Sequence, residues 1–394
     1  MMWRDGEVVQ QRRTWGREPR RCAELEVRLT QAPAGATGLL PGQELRAVAY
    51  EQLGGLPQPG ELVRLEVSAL ARGLGTGGHA MVTARLDLLP PDAPDPGHLV
   101  KARYMPDQVM VAGVDEQDMP GHEVLRAPVG QLELEDTPVV VADLHSSLPA
   151  VLAGLASPTG TSGLVEPGRR PRTVYVMTDG GALPAAYSRT AVGLREAGWL
   201  AGTITCGQAW GGDLEAVSLH NALLAARHVL GAQVAVVIQG PGNLGTDTPW
   251  GFSGVACGEA VNAVAVLGGR ALACLRVSQA DARHRHRGIS HHSLTAYGKV
   301  ALAGADVVVP RLGGELGAQV WHQAEALCAP RPVGRQHRLV PVDTAGLLQA
   351  LHQAQQATGV RLATMGRGLE EDTAAFVTAA AAGRYAADLV SQVH

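Results

Sequence analysis

At 394 residues the chain exceeds what one hydrophobic core usually organises, which predicts two or three domains. Its formal net charge of -4 gives no overall basic field, so nucleic acid is not an expected partner. Hydrophobic residues make up 46%, yet they fall in short runs broken by glycine, proline or charge, and none approaches the roughly 18 apolar residues of a membrane span.

The opening MMWRDGEVVQQRRTW carries charge where a signal peptide needs its apolar stretch, so no export signal is read and the cytoplasm is the expected compartment. From about residue 6 to 115 the pattern has period two with turn punctuation. ELEVRLT, QELRAVAYEQL, ELVRLEVSALA, AMVTARLDLL and HLVKARYMPDQVMVAG alternate apolar with charged or small residues, as half-buried strands do. The expectation is an antiparallel β barrel or sandwich over residues 1–118. GLGTGG (73–78) reads as a flexible hairpin, PPDAPDPG (90–97) as a loop, and residues 119–137 as the linker to the second domain.

From residue 138 apolar strands alternate with helical segments: PVVVADL precedes SSLPAVLAGLA, TVYVMTD precedes ALPAAYSRTAVGLREAG, and AQVAVVIQG precedes SGVACGEAVNAVAVLGG. Repeated β-α alternation predicts a doubly wound, mostly parallel, Rossmann-like α/β domain over residues 138–394. Pro149 and Pro184, each in a Leu-Pro-Ala triplet, are placed just inside helices, and Asp213 fits the N-cap of the helix after it. Five cysteines, Cys22, Cys206, Cys257, Cys274 and Cys328, form no CxxC pair, which argues for reduced thiols. Cys206 offers a nucleophile after a strand, although burial as an inert thiol is the commoner outcome.

Open parallel sheets bind ligands beyond the carboxyl ends of their strands, so the residues after each apolar run carry most information. Two of these exits are long, QGPGNLGTDTPWG with thirteen residues and SQADARHRHRGISHHS with sixteen, where a structural connection needs only about two to six. Glycines of the first, with Gly240, Gly242 and Gly245 around Asn243, allow backbone amides to cradle an anion. HRHRGISHHS holds four histidines and two arginines in ten residues. Zinc bound by this loop alone is disfavoured, because a divalent ion about 6 Å from one guanidinium meets roughly 5 to 6 kcal/mol of repulsion at an effective dielectric near 20. A phosphate or carboxylate clamp fits better, with Arg285, Arg287 and Arg367 as cations, Ser290 capping a helix, and His286, His291 or His292 moving a proton. Asp143, His145 and Asp179 stand on neighbouring exits as candidate ligands for Mg²⁺ or Mn²⁺, and Asp143 and Asp179 as catalytic residues that hold the metal or an attacking water.

TDGGALPAAYSRTAVGLREAG, TITCGQAWGGDLEAVSLHNALLAARHVLGA, QGPGNLGTDTPWGFSGVACGEA, RHRGISHHSLTA, TMGRGLEED, ADLHSSLPAVLAGL and RGLGTGGHA together resemble the bacterial domain-of-unknown-function family DUF3866 over nearly the whole chain. The resemblance implies that these segments belong together and supplies no catalytic residues. The residues support two readings: a hydrolase or transferase acting on a small phosphorylated or nucleotide-like anion, and a non-catalytic metabolite-binding or regulatory protein using the same rim. A homodimer is the common default for such proteins.

Overall fold

The computed structural model describes residues 1–75, 77–92 and 97–392. The chain forms two compact units that divide between Val111 and Ala112. In the first, β1 (Trp3–Trp15), β2 (Cys22–Gln31), β3 (Glu44–Tyr50), β4 (Leu62–Glu66) and β5 (Ala80–Arg85) close into a barrel in the order β1-β2-β3-β5-β4. All pairings are antiparallel except β3 with β5, which run parallel. This is the strand order of OB-type barrels, and the architecture alone assigns no ligand. Alternation in the sequence becomes burial: Leu25, Val27 and Leu29 of β2 face the core, while Arg28 pairs across the strands with Glu44. A two-stranded ribbon, β6 (Leu99–Lys101) with β7 (Val109–Val111), comes next. Within GLGTGG, Gly73, Gly77 and Gly78 hold positive φ, while Thr76, like residues 93–96 of PPDAPDPG, lies outside the described residues.

The second unit is built on an eight-stranded sheet. Its strands are β8 (Pro138–Ala142), β9 (Thr173–Thr178), β10 (Gly202–Thr205), β11 (Leu214–Glu215), β12 (Val234–Gln239), β13 (Arg270–Cys274), β16 (Asp306–Pro310) and β17 (Arg338–Val342); β14 (Val277–Ser278) and β15 (Gly288–Ile289) form a separate small ribbon. The order is β11-β10-β9-β12-β8-β13-β16-β17, and every neighbouring pair is parallel. Two-sided burial explains the unbroken apolar runs: Val140 and Ala142 of β8 enter one core layer, Val139 and Val141 the other. Helices Leu148–Leu155, Leu347–Thr358 and Thr373–Gln392 cover the first layer, and Leu219–His228, Ala256–Val266 and Gly314–Cys328 the second. Val114 and Leu134, which precede the sheet, are buried in the second layer, so residues 112–137 fold with this unit. Gly154 and Gly383 let two helices cross at backbone contact: a Cβ on Gly154 would lie 1.8 Å from the Ala380 carbonyl, and one on Gly383 1.9 Å from that of Val151.

Two local expectations change. Pro149 does sit in the first turn of its helix, but Pro184 is extended and bridges Trp210, and the helix after it begins at Arg189 under a Ser188 cap. Asp213 binds Arg195 and the Thr203 amide beside an edge strand, and Ser218 caps the next helix. No helix among the described residues is long and apolar enough to cross a membrane.

The strand order positions the site. From β8 the chain moves to β9 on one side, while from β13 it moves to β16 on the other. Their connections therefore diverge, opening the crevice at the carboxyl ends of β8 and β13 where such sheets bind ligands.

Candidate functional site

Asp143 is the first residue after β8 and only 4% exposed. Its Oδ1 accepts from Asn243 Nδ2 at 2.7 Å, and its Oδ2 accepts from Arg276 Nη1 at 3.3 Å and lies 3.1 Å from His292 Nδ1. Gly254 makes room for it, since a Cβ there would sit 2.0 Å from Oδ1. Burial alone would raise this carboxyl, but the His292 hydrogen bond and the Arg276 charge outweigh it and hold the acid below the usual carboxylate range. An ionised Asp143 only accepts and Arg276 only donates. Arg276 Nη1 also lies 3.0 Å from His292 Nδ1, so that nitrogen is engaged by both partners of the ion pair: it donates to Asp143 in one tautomer and accepts from Arg276 in the other.

His292 belongs to a group of three. The β14-β15 ribbon closes the histidine loop by pairing Val277 with Ile289 and Ser278 with Gly288. Ser290 then caps the helix His291–Thr295 by accepting from the His292 amide, and its Oγ lies 2.7 Å from His286 Nδ1. One nitrogen from each of His286, His291 and His292 lies within 4.8 Å of the others. Ring centroids are 5.0 Å apart for His286–His291, 5.1 Å for His286–His292 and 4.5 Å for His291–His292. Phe252, one of only two phenylalanines in the chain, stacks on His292 at 3.8 Å and 4°. Burial, then the charges of Arg276 and Arg283, push His286 down to about 3; burial, then His292 and Arg285, lower His291. Both rings are neutral at pH 7 and keep a lone pair.

The cations around the cluster are matched by acids. Four arginines face four aspartates: Arg276 with Asp143, Arg283 with Asp281, Arg285 with Asp247, and Arg367 with Asp372. Asp247 holds a left-handed φ of +68° in the glycine-rich loop, and its contact with Arg285 ties that loop to the histidine loop. Asp372 also accepts from Ser278 Oγ at 2.6 Å and from the Gln279 amide at 3.0 Å, anchoring the histidine loop to the start of the C-terminal helix.

Of the residues singled out in the sequence, Asp143, Asn243, His286, Ser290, His291 and His292 meet in this cluster. Arg285 and Arg367 reach its edge through their acids, whereas Arg287 is exposed and donates from Nε to the Asp281 carbonyl at 3.0 Å. Asn243, Ser290 and Arg367 all have protein partners and position the cluster. Gly240 lies beneath the TDGG turn, Gly242 faces open space, and Gly245 bridges Phe252. The set Asp143, His145 and Asp179 is not brought together among the described residues. Asp179 is exposed and accepts from the Gln208 amide at 2.8 Å. His145 is buried between Ser188 Oγ at 2.6 Å and Tyr175 OH at 3.1 Å, and burial holds it at about 4. Cys206 is buried against the Met177 carbonyl.

Sequence reading missed Arg276 and Phe252. ALACLRVSQ reads as one strand to its end, yet β13 stops at Cys274, and Arg276 is the exit residue. That double signal, a lone arginine at the end of an apolar run, could have found it. Phe252 had no such mark.

The family described as protein of unknown function (DUF3866) matches residues 46–383. The chain belongs to the DUF3866 family. Its match begins inside β3, so it takes in β4 and β5 but neither β1 nor β2 of the barrel; it spans the whole parallel sheet and every residue of the histidine cluster, so the DUF3866 region contains the site entire. No curated protein matches the DUF3866 chain.

Proposed function

We propose that this protein is a hydrolase or transferase acting on a small phosphorylated or nucleotide-like anion at the carboxyl edge of β8 and β13. One observation carries the reading: Asp143 and His292, 149 positions apart, form a part-buried acid–imidazole pair at the switch point, with two further neutral imidazoles beside it. In this reading Asp143 orients His292 and stabilises its charged form, while His292 or His291 exchanges a proton with the attacking water or the leaving group. Arg287, exposed and bonded only to a carbonyl among the described residues, supplies positive charge, and the amides of Gly242, Asn243 and Gly245 add donors, that of Leu244 being taken by Ser253 Oγ. Trp250, 61% exposed on the same loop, offers a face for a nucleobase. Placement in the cytoplasm belongs to the proposal, supported by five buried cysteines that share no disulfide.

A non-catalytic metabolite-binding role for the same rim is favoured by one feature, the internal pairing of Arg283, Arg285 and Arg367, which builds the loop around the protein's own acids. Thermal shift against a panel of nucleotides and sugar phosphates, followed by product assays on each hit, separates the two. For the enzyme, Asp143→Asn and His292→Gln each lower kcat about 10²- to 10⁴-fold while ligand-induced stabilisation survives. Stabilisation without product supports the binding protein, and neither response from any anion sinks both readings.

A further inference from the structure

We propose that His286, His291 and His292 bind one divalent transition-metal ion of the zinc class through three imidazole nitrogens. The spacing is that of a tetrahedral corner. With metal–nitrogen bonds of about 2.0 to 2.1 Å, three imidazoles on one ion place their ring centroids on the order of 5 Å apart. The three observed separations, 5.0, 5.1 and 4.5 Å, match that figure without movement of the rings as a whole. One nitrogen of each ring lies within 4.8 Å of the others; on a tetrahedral ion such atoms are about 3.3 Å apart, so they must close by up to about 1.5 Å, which ring rotation accomplishes.

Orientation is built in. His292 Nδ1 is engaged by Asp143 at 3.1 Å and Arg276 at 3.0 Å, and His286 Nδ1 by Ser290, which leaves Nε2 for coordination in both; with the ion on Nε2, His292 Nδ1 carries the proton and donates to Asp143. A carboxylate or hydroxyl on the far nitrogen is how proteins fix the tautomer of a metal-binding histidine and raise its basicity. Stacking on Phe252 fixes the plane of the His292 ring. The arginines, the chief objection to a dication here, are largely answered by their partners: Arg276, Arg283, Arg285 and Arg367 each contact an aspartate, so four positive charges face four negative ones, and the fifth, Arg287, is exposed to solvent. Three nitrogen ligands and no thiolate favour Zn²⁺ or Co²⁺ over Mg²⁺ and Ca²⁺, which take oxygen. A three-histidine site keeps a fourth position for water or substrate, the arrangement of catalytic rather than structural zinc. For the activity proposed above, on which only this last consequence rests, such an ion would take over the activation of water from His291 and His292, whose lone pairs it occupies, and would polarise the substrate oxygen.

The test uses the full chain without an affinity tag, stripped with chelator and then given Zn²⁺ or Co²⁺ alone. Calorimetry and metal analysis after dialysis are expected to show one ion per chain, and Co²⁺ to give the intense visible bands of four-coordinate geometry. His291→Gln, at a partly exposed position, is expected to weaken Zn²⁺ at least 100-fold, Asp143→Asn 10- to 100-fold, and His322→Ala, an exposed histidine outside the cluster, not at all. Absence of binding by the wild-type chain, a purely six-coordinate Co²⁺ spectrum, or binding unchanged by His291→Gln overturns the proposal. Phosphoester turnover on the same samples keeps the two ideas apart: metal without turnover removes the enzyme reading alone, and turnover without metal removes this one alone.

Discussion

Asp143 and Asp306 occupy opposite ends of one sheet, and both are buried acids held by arginine. At the amino end, Arg270, Asp306 and Arg338 open three adjacent strands, β13, β16 and β17. Asp306 accepts from Arg270 Nε at 2.9 Å, Arg338 Nε at 2.7 Å and Tyr385 OH at 2.9 Å. Burial alone would raise that carboxyl, and the hydrogen bonds from Arg338, Arg270 and Tyr385 outweigh it. At the carboxyl end Asp143 has one arginine, one amide and one imidazole. Guanidinium does not change its protonation state, so the first cluster is a clamp. Imidazole does change it, and here it touches two more imidazoles. Burial and ion pairing are thus common to both ends, and the kind of partner is what separates fastening from chemistry.

The largest expected effect breaks this comparison directly. Asp143→Ala leaves Arg276, whose side chain is 8% exposed, charged and unpaired, and is expected to cost about 3 to 5 kcal/mol in urea unfolding. Asp306→Ala is expected to cost less, about 1 to 3 kcal/mol, because Arg338 is 57% exposed and rehydrates. Equal losses would mean that the two ends are energetically alike.

A smaller effect comes from His145, a histidine at the carboxyl edge that is saturated as Asp306 is. Its ordinary value of 6.5 falls to about 4 on folding, so the unfolded chain binds the proton first. The stability due to the neutral ring is complete above pH 6.5 and is lost as pH falls toward 4, by up to about 3 kcal/mol. Chemical denaturation across that range should show the loss, and His145→Gln should flatten it; an unchanged profile in the variant would assign the acid sensitivity elsewhere.

Gly254→Ala pushes a methyl into the Asp143 carboxylate and is expected to cost about 1 to 3 kcal/mol together with most turnover. Full activity in that variant would show that the seat of Asp143 is looser than the contact implies. Last, Arg287→Ala is expected to shift stability by less than about 0.5 kcal/mol and to raise KM for an anionic substrate. A drop in kcat at unchanged KM would remove it from substrate binding.

Much of the architecture was legible in the chain. Alternation in ELEVRLT and its neighbours announced the barrel, and the apolar runs separated by helical segments announced the parallel sheet. Strand exits pointed to Asp143, the glycine-rich loop and the histidines. Which exits face one another was not legible: His145 and Asp179 carry the same residue types as the cluster and lie outside it. Nor was the charge balance, because Arg276 finds Asp143 and Arg285 finds Asp247 only after the loops fold back. The objection to a metal in the histidine loop rested on arginines counted without those partners.

Periodicity is local, written within a few residues of itself, and it survives in the linear order; hence the two kinds of domain and the rim that carries polar groups could be read directly. Asp143 meets Asn243, Arg276 and His292 across 100, 133 and 149 positions. Those meetings depend on β8 lying between β12 and β13, a choice made by packing the whole sheet and stated by no single segment.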